Sequence, residues 1–261
     1  MWTPHDKHGL RFDEYLKQVR DNPGKNAAKT LFDIVQTIMY LTECIKIIHK
    51  AGLLHLDIKP SNFLITSDDE NVNPKNLSLF DLNSICDLSK DTTNFKIIGT
   101  EGYSAPELKR GSLTNRCDIF SIGAALFYGT VIDKHTVSNE LYRLSLYNSI
   151  PQLVARSELL NSSTETENVE IKSLLTKILK KCLAFRPSQR YRNYEELIAD
   201  LESLQTLVMP AATSDTLKPL NKKIILTDAD TDAIEDSTII LPKRGVSSPQ
   251  LKQGGFHAAF W

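Results

Sequence analysis

The chain has 261 residues, with 31 Lys or Arg against 32 Asp or Glu, so the net charge is −1 with histidines neutral. That balance leaves no electrostatic footprint for DNA, RNA or an anionic membrane surface. Hydrophobic residues at 41% and charged residues at 24%, with only 11 Gly and 11 Pro, exclude collagen-like and loop-dominated folds and allow a real core.

In chain order, Phe12 to Arg20 reads as a short helix closed by the breaker Asp21-Asn22-Pro23-Gly24. Leu31, Ile34, Val35, Ile38, Leu41, Ile45 and Ile48 then recur at steps of three and four, which predicts a long amphipathic helix. It ends in His49-Lys50, with Gly52 placed to stop it. Two β-prone runs, Phe63-Leu64-Ile65 and Leu77-Ser78-Leu79-Phe80, flank the polar loop Ser67 to Asn76 and read as a hairpin. Cys117 to Thr130 is apolar on most faces, the pattern of a helix surrounded by protein. Ile171, Leu174, Leu175, Ile178 and Leu179 mark another helix running to about Leu183. Asn193 with Glu196 makes a capping-box-like start for a last helix through Leu204. From Met209 to Trp261 the composition turns polar, with β-prone runs only at Ile224-Ile225-Leu226 and Thr238-Ile239-Ile240-Leu241. Residues 208–261 are therefore expected to be a linker or disordered tail, and 1–207 one domain.

Cys44, Cys86, Cys117 and Cys182 are too far apart for a CxxC pair and read as small buried hydrophobes in a reducing, cytoplasmic compartment. The N-terminus carries no signal-peptide pattern. The longest apolar stretch, Ile119 to Ile132, is too short to span a bilayer, so no membrane segment is expected.

The chemistry concentrates in His55-Leu56-Asp57-Ile58-Lys59-Pro60-Ser61-Asn62, between the long helix and the first strand. Asp57 is a carboxylate that can accept a hydroxyl proton. Asn62 offers an amide oxygen for Mg²⁺, and Lys59 offers an ammonium to neutralise a transferring phosphoryl group. Asp81, at the end of the second strand, supplies a second candidate metal carboxylate.

These residues resemble the eukaryotic-type Ser/Thr protein kinases. His55 to Asn62 is similar to the family's H-R-D-x-K-x-x-N catalytic loop, and Asp81-Leu82-Asn83 stands where D-F-G is expected. Gly99-Thr100-Glu101-Gly102-Tyr103-Ser104-Ala105-Pro106-Glu107 resembles G-T-x-x-Y-x-A-P-E. Asp118-Ile119-Phe120-Ser121-Ile122-Gly123 resembles D-x-x-S-x-G, and Pro187-Ser188-Gln189-Arg190 resembles P-x-x-R. The resemblance runs from about residue 9 to 207. It implies a mainly α (α+β) kinase-like C-terminal lobe, a helical bundle around a buried central helix (Asn115 to Gly129) with a β-hairpin carrying the catalytic loop. It also implies ATP and Mg²⁺ as cofactors and a protein with a Ser or Thr acceptor as substrate, with no nucleic-acid partner.

Carried over by position, Asp57 is the catalytic base, Lys59 stabilises the γ-phosphate, and Asn62 and Asp81 hold Mg²⁺. Leu64 forms the floor under adenine, Thr100 touches the catalytic loop, Glu107 pairs with Arg190, and Asp118 anchors the loop from below. Four departures from the pattern stand out. Leu56 replaces the Arg of H-R-D, so no cation is there to receive an activation-loop phosphate. Leu82 replaces Phe and Asn83 replaces Gly. No G-x-G-x-x-G occurs in the 261 residues, and no V-A-I-K-like lysine precedes the catalytic loop. Gly9 to Leu16 resembles the segment just after the hinge between kinase lobes, so an N-terminal lobe is expected as a missing partner in cis or in trans. The expectation is a Ser/Thr kinase, weak or inactive as this fragment, with a pseudokinase-like scaffold lobe as the alternative. An aminoglycoside-type phosphotransferase shares H-x-D-x-x-x-x-N but lacks the A-P-E segment. Ser84, Ser89, Thr92, Thr93 and Thr100 are hydroxyls within reach of a modifying kinase and read as ordinary loop residues.

Overall fold

The computed structural model describes residues 9–21, 27–66, 76–79, 84–89, 99–131, 144–161, 165–208 and 224–226. Its first elements are strand β1 (Gly9–Arg11), helix α1 (Phe12–Asp21) and helix α2 (Ala27–Lys50). α2 buries Leu31, Ile34, Val35, Ile38, Leu41, Ile45 and Ile48, the stripe that the spacing predicts. It stops where expected, because Gly52 takes a φ of +79° and returns its N–H to the His49 carbonyl at 2.9 Å.

Two short sheets follow. Strand β2 (Leu53–Leu54) pairs antiparallel with β5 (Cys86–Asp87). Strands β3 (Phe63–Thr66) and β4 (Asn76–Leu79) form the expected hairpin, with Phe63 opposite Leu79 and Thr66 opposite Asn76. The hairpin is wider than two strands. β1 joins β3 antiparallel, and strand β6 (Ile224–Leu226) joins β4 in parallel, giving the order β1-β3-β4-β6. Within the stretch expected as a linker or disordered tail, Ile224–Leu226 is therefore a strand, because three consecutive β-prone residues meet an open strand edge. The last helix also runs one residue past the expected boundary at 207. Of the polar loop, residues 67–75 lie outside the described residues, as do Phe80, Asp81, Leu82, Asn83, Thr92, Thr93 and the run from Thr238 to Leu241.

The core is helical. Helix α3 (Asn115–Thr130) is buried along nearly its whole length, including Ile119, Phe120, Ile122, Ala125 and Leu126. It lies between α2 and helix α5 (Glu165–Cys182), and helix α6 (Tyr194–Val208) packs on both α2 and α5. Gly123 lets α3 approach α5 closely: a Cβ at that position would overlap the Cβ of Cys182. α6 begins with Asn193 Oδ1 accepting the Glu196 N–H at 2.9 Å, the cap that the sequence suggests. Helix α4 (Leu144–Arg156) is an addition to the sequence reading. Pro151 sits inside it and masks its pattern, yet Ile150 and Val154 are both fully buried. Aromatic stacking of Phe12 on Phe63, 5.0 Å between centroids, ties α1 to the sheet beside the loop from His55 to Asn62.

Candidate active site

The loop from His55 to Lys59 leaves β2 and enters the turn Pro60–Asn62, which leads directly into β3. A carboxylate at the start of α3 holds it from below. Asp118, fully buried, accepts the His55 N–H and the Leu56 N–H at 2.8 Å each, and meets His49 Nε2 at 2.7 Å. Burial acts to raise the Asp118 carboxyl, but the hydrogen bond and charge of His49, followed by those of His55, outweigh it and hold it below the usual carboxylate value. The anchoring matters because Leu56 has a φ of +64°, a left-handed conformation that L side chains other than Asn and Asp seldom adopt. Such a residue costs on the order of 1–3 kcal/mol and persists when its surroundings over-determine it. Here the two charge-assisted bonds and the complete burial of the Leu56 side chain do so.

Above this anchor the expected residues converge. Asp57 Oδ1 accepts the Thr100 hydroxyl at 2.7 Å, and Lys59 Nζ lies 2.9 Å from Asp57 Oδ2. Lys59 also donates to Thr100 Oγ1 at 2.9 Å. Asn62 Nδ2 donates to the Asp57 carbonyl at 2.9 Å and to Asp57 Oδ2 at 3.3 Å. Burial pushes the Asp57 carboxyl up, and the Thr100 hydroxyl, the Lys59 ammonium and the Asn62 amide pull it down further, so it sits below its ordinary value. The result is an ionised, oriented carboxylate with a cation beside it, at a partly open surface where Lys59 is 23% exposed. With both Asn62 donor bonds directed at Asp57, its amide oxygen is the group left for a hard cation, which suits a Mg²⁺ ligand. Leu64 is buried on β3, between Arg11 of β1 and Ser78 of β4 in register. Asp81, the other expected metal ligand, lies outside the described residues.

Thr100 belongs to a segment braced from the far side. Ser104 donates both its hydroxyl and its N–H to the Thr100 carbonyl, at 2.9 and 3.0 Å. Further on, Glu107 and Arg190 form a bidentate pair at 2.5 and 2.7 Å. Arg190 is 3% exposed and uses its other donors on the carbonyls of Ala184 and Arg116, both at 2.8 Å. Of the hydroxyls singled out as modifiable, Ser84 is buried, Ser89 is bonded to Asp87 at 2.6 Å, and Thr100 is part of the Asp57 network.

One functional neighbour escaped the sequence reading. His49 reads as the basic end of α2, yet its ring meets the carboxylate that anchors the loop from His55 to Asn62. The only sequence signal is that it closes the helix leading into His55, since Asp118 comes 69 residues later.

A family model described as the protein kinase domain matches residues 11–200. Among curated proteins, the chain is 26% identical over 219 residues to a sequence named as a probable serine/threonine-protein kinase of Clostridium acetobutylicum, covering 79% of this chain and 31% of that one. It is 26% identical over 252 residues to serine/threonine-protein kinase D of Synechocystis, covering 91% and 44%. It is 25% identical over 190 residues to serine/threonine-protein kinase PknB of Mycobacterium leprae, covering 72% and 27%. The chain thus spans less than half the length of each of these relatives.

Proposed function

Since the chain belongs to the protein kinase family, we propose that it carries the catalytic-loop half of a Ser/Thr protein kinase site, which transfers the ATP γ-phosphate to Ser or Thr hydroxyls of a protein substrate. The observation that carries this reading is the convergence of Asp57, Lys59, Asn62 and Thr100 into one hydrogen-bonded set on an anchored loop. A lobe serving only as a binding surface has no physical need for an ionised carboxylate held between a cation and two neutral donors.

In this reading the acceptor hydroxyl is oriented by Asp57, which takes its proton as the oxygen–phosphorus bond forms and the bond to the β-phosphate oxygen breaks. Lys59 neutralises the charge that develops on the transferring group, and Thr100 holds both side chains in place. Asn62, together with Asp81, would hold Mg²⁺, and Leu64 would lie under the adenine ring. Bound Mg·ATP supplies the phosphoryl group and the metal's charge. Leu56 cannot receive an activation-loop phosphate, so alanine at Thr92 or Thr93 leaves activity largely intact.

The relatives' names support the Ser/Thr class. These 261 residues contain no glycine-rich phosphate loop. We therefore expect weak Mg·ATP binding and little transfer from this polypeptide alone, and transfer to Ser or Thr once a matching N-terminal lobe is supplied in cis or in trans. The second reading is a scaffold lobe without phosphotransfer. Radiolabelled phosphate transfer by the restored protein tests both. Asp57→Asn should lower turnover by roughly 10²–10⁴-fold with ATP affinity little changed. Unchanged turnover rejects the assignment, and no transfer by the restored parent leaves the scaffold reading.

A further inference from the structure

β4 is the inner strand of the catalytic hairpin only because β6 lies beside it. Leu77, Ser78 and Leu79 stand in register with Ile224, Ile225 and Leu226. Without β6, β4 would present a row of unpaired N–H and C=O groups, the template by which extended segments add to sheets. Leu79, at the far end of this register, is opposite Phe63, and Phe63 directly follows Asn62 of the catalytic loop. A segment from the C-terminal region is thus two strand pairings away from the candidate site.

We infer that the β4 edge is a strand-acceptor surface and that Ile224–Leu226 is its tethered occupant, an intramolecular latch on the hairpin that follows the catalytic loop. Three observations support this. Ile-Ile-Leu at 224–226 is a strongly β-prone run, one of two in a mostly polar stretch. The ladder is only three residues long, so only a few backbone hydrogen bonds work against the entropy of ordering three residues, the balance a reversible pairing needs. The tether from Val208 to Ile224 reaches about 53–58 Å when extended, and a tether of that kind converts a weak pairing into an intramolecular one at high effective concentration. The latch therefore steadies β4, and through β3 the turn holding Asn62, while remaining able to leave.

Hydrogen–deuterium exchange on the full chain tests the latch without nucleotide or activity, so its failure and that of the kinase reading are separable. Ile224→Pro combined with Ile225→Pro removes a donor from both alternating sets of strand amides, so the ladder breaks whichever set faces β4. The β4 amides that do not bond β3 should then exchange roughly tenfold faster or more. Amides in α3 and α5 should keep the parent rate, and Ile224→Val with Ile225→Val should keep parent protection throughout. Unchanged protection of β4 in the proline variant overturns the inference. So does a loss that spreads to α3 and α5, which would make β6 part of the global folding unit instead of a latch.

Discussion

Asp118 and Leu56 are 62 residues apart in sequence, and the carboxylate of one accepts the amide of the other at 2.8 Å. The acceptor is fully buried and the donor sits at a φ of +64°. The long-range bond thus holds a backbone conformation that Leu would not choose by itself, one residue before Asp57. Asp118→Asn keeps one acceptor oxygen and turns an NH₂ toward one of its two backbone N–H donors. An orphaned buried donor costs about 1–3 kcal/mol, and in a chain of this size each kcal/mol lowers the Tm by roughly 2–4 °C. Thermal melting should show that loss, and the amides of His55 and Leu56 should exchange faster. Parent-like melting with parent-like exchange at both amides would reject the anchoring role.

Glu107 and Arg190 meet 83 residues apart with almost no solvent access. Removing one member of a buried pair leaves the other charge uncompensated, at roughly 3–5 kcal/mol. Arg190 retains the carbonyls of Ala184 and Arg116 and the face of Phe120, which softens the loss without cancelling its charge. Glu107→Ala should melt roughly 6–20 °C below the parent. A shift within a degree would show that the pair contributes nothing.

α2 and α3 were legible in the sequence because each carries its own signal, a seven-residue apolar stripe in one and apolar residues on all faces in the other. The loop from His55 to Asn62 was legible because its groups are local, five residues from Asp57 to Asn62. Thr100, Asp118, Glu107 and Arg190 came from the resemblance, since no local pattern says which distant side chain a loop will meet. His49 shows the limit: a basic residue closing a helix looks the same whether it faces water or a buried carboxylate. α4 hides behind Pro151, although Tyr147, Ile150 and Val154 keep helical spacing. β6 was legible as a β-prone run but not as a paired strand, because three apolar residues do not name a partner, and its partner lies about 150 residues earlier.

Gly123 shows how tightly α3 is packed. Alanine in place of a helical glycine normally gains up to about 1 kcal/mol. Here the new Cβ would overlap Cys182 Cβ and approach its Cα at 3.4 Å, and overpacking costs roughly 1–3 kcal/mol. The steric term wins, so Gly123→Ala should destabilise the chain in urea. Cys182→Ala removes only the sulfur and should not restore stability, because the overlapping atom is Cβ. Rescue by Cys182→Ala would place the clash at the thiol instead.

The state of Asp57 can be read from stability against pH. Its folded carboxyl lies below the ordinary value of 3.8, despite burial that opposes the shift, because Thr100, Lys59 and Asn62 favour the ionised form. For a depressed carboxyl, the linked stability is fully present above the unfolded value and is lost as pH falls through the folded one. Asn at position 57 cannot titrate, whatever constant effect it has on the fold. The difference in unfolding free energy between the parent and Asp57→Asn should therefore be flat above about pH 5 and move against the parent as pH drops below 3.8. Urea titrations of both proteins at matched pH values give that difference directly. A difference that moves in the parent's favour on acidification would mean a raised carboxyl, one whose burial outweighs the Thr100, Lys59 and Asn62 bonds.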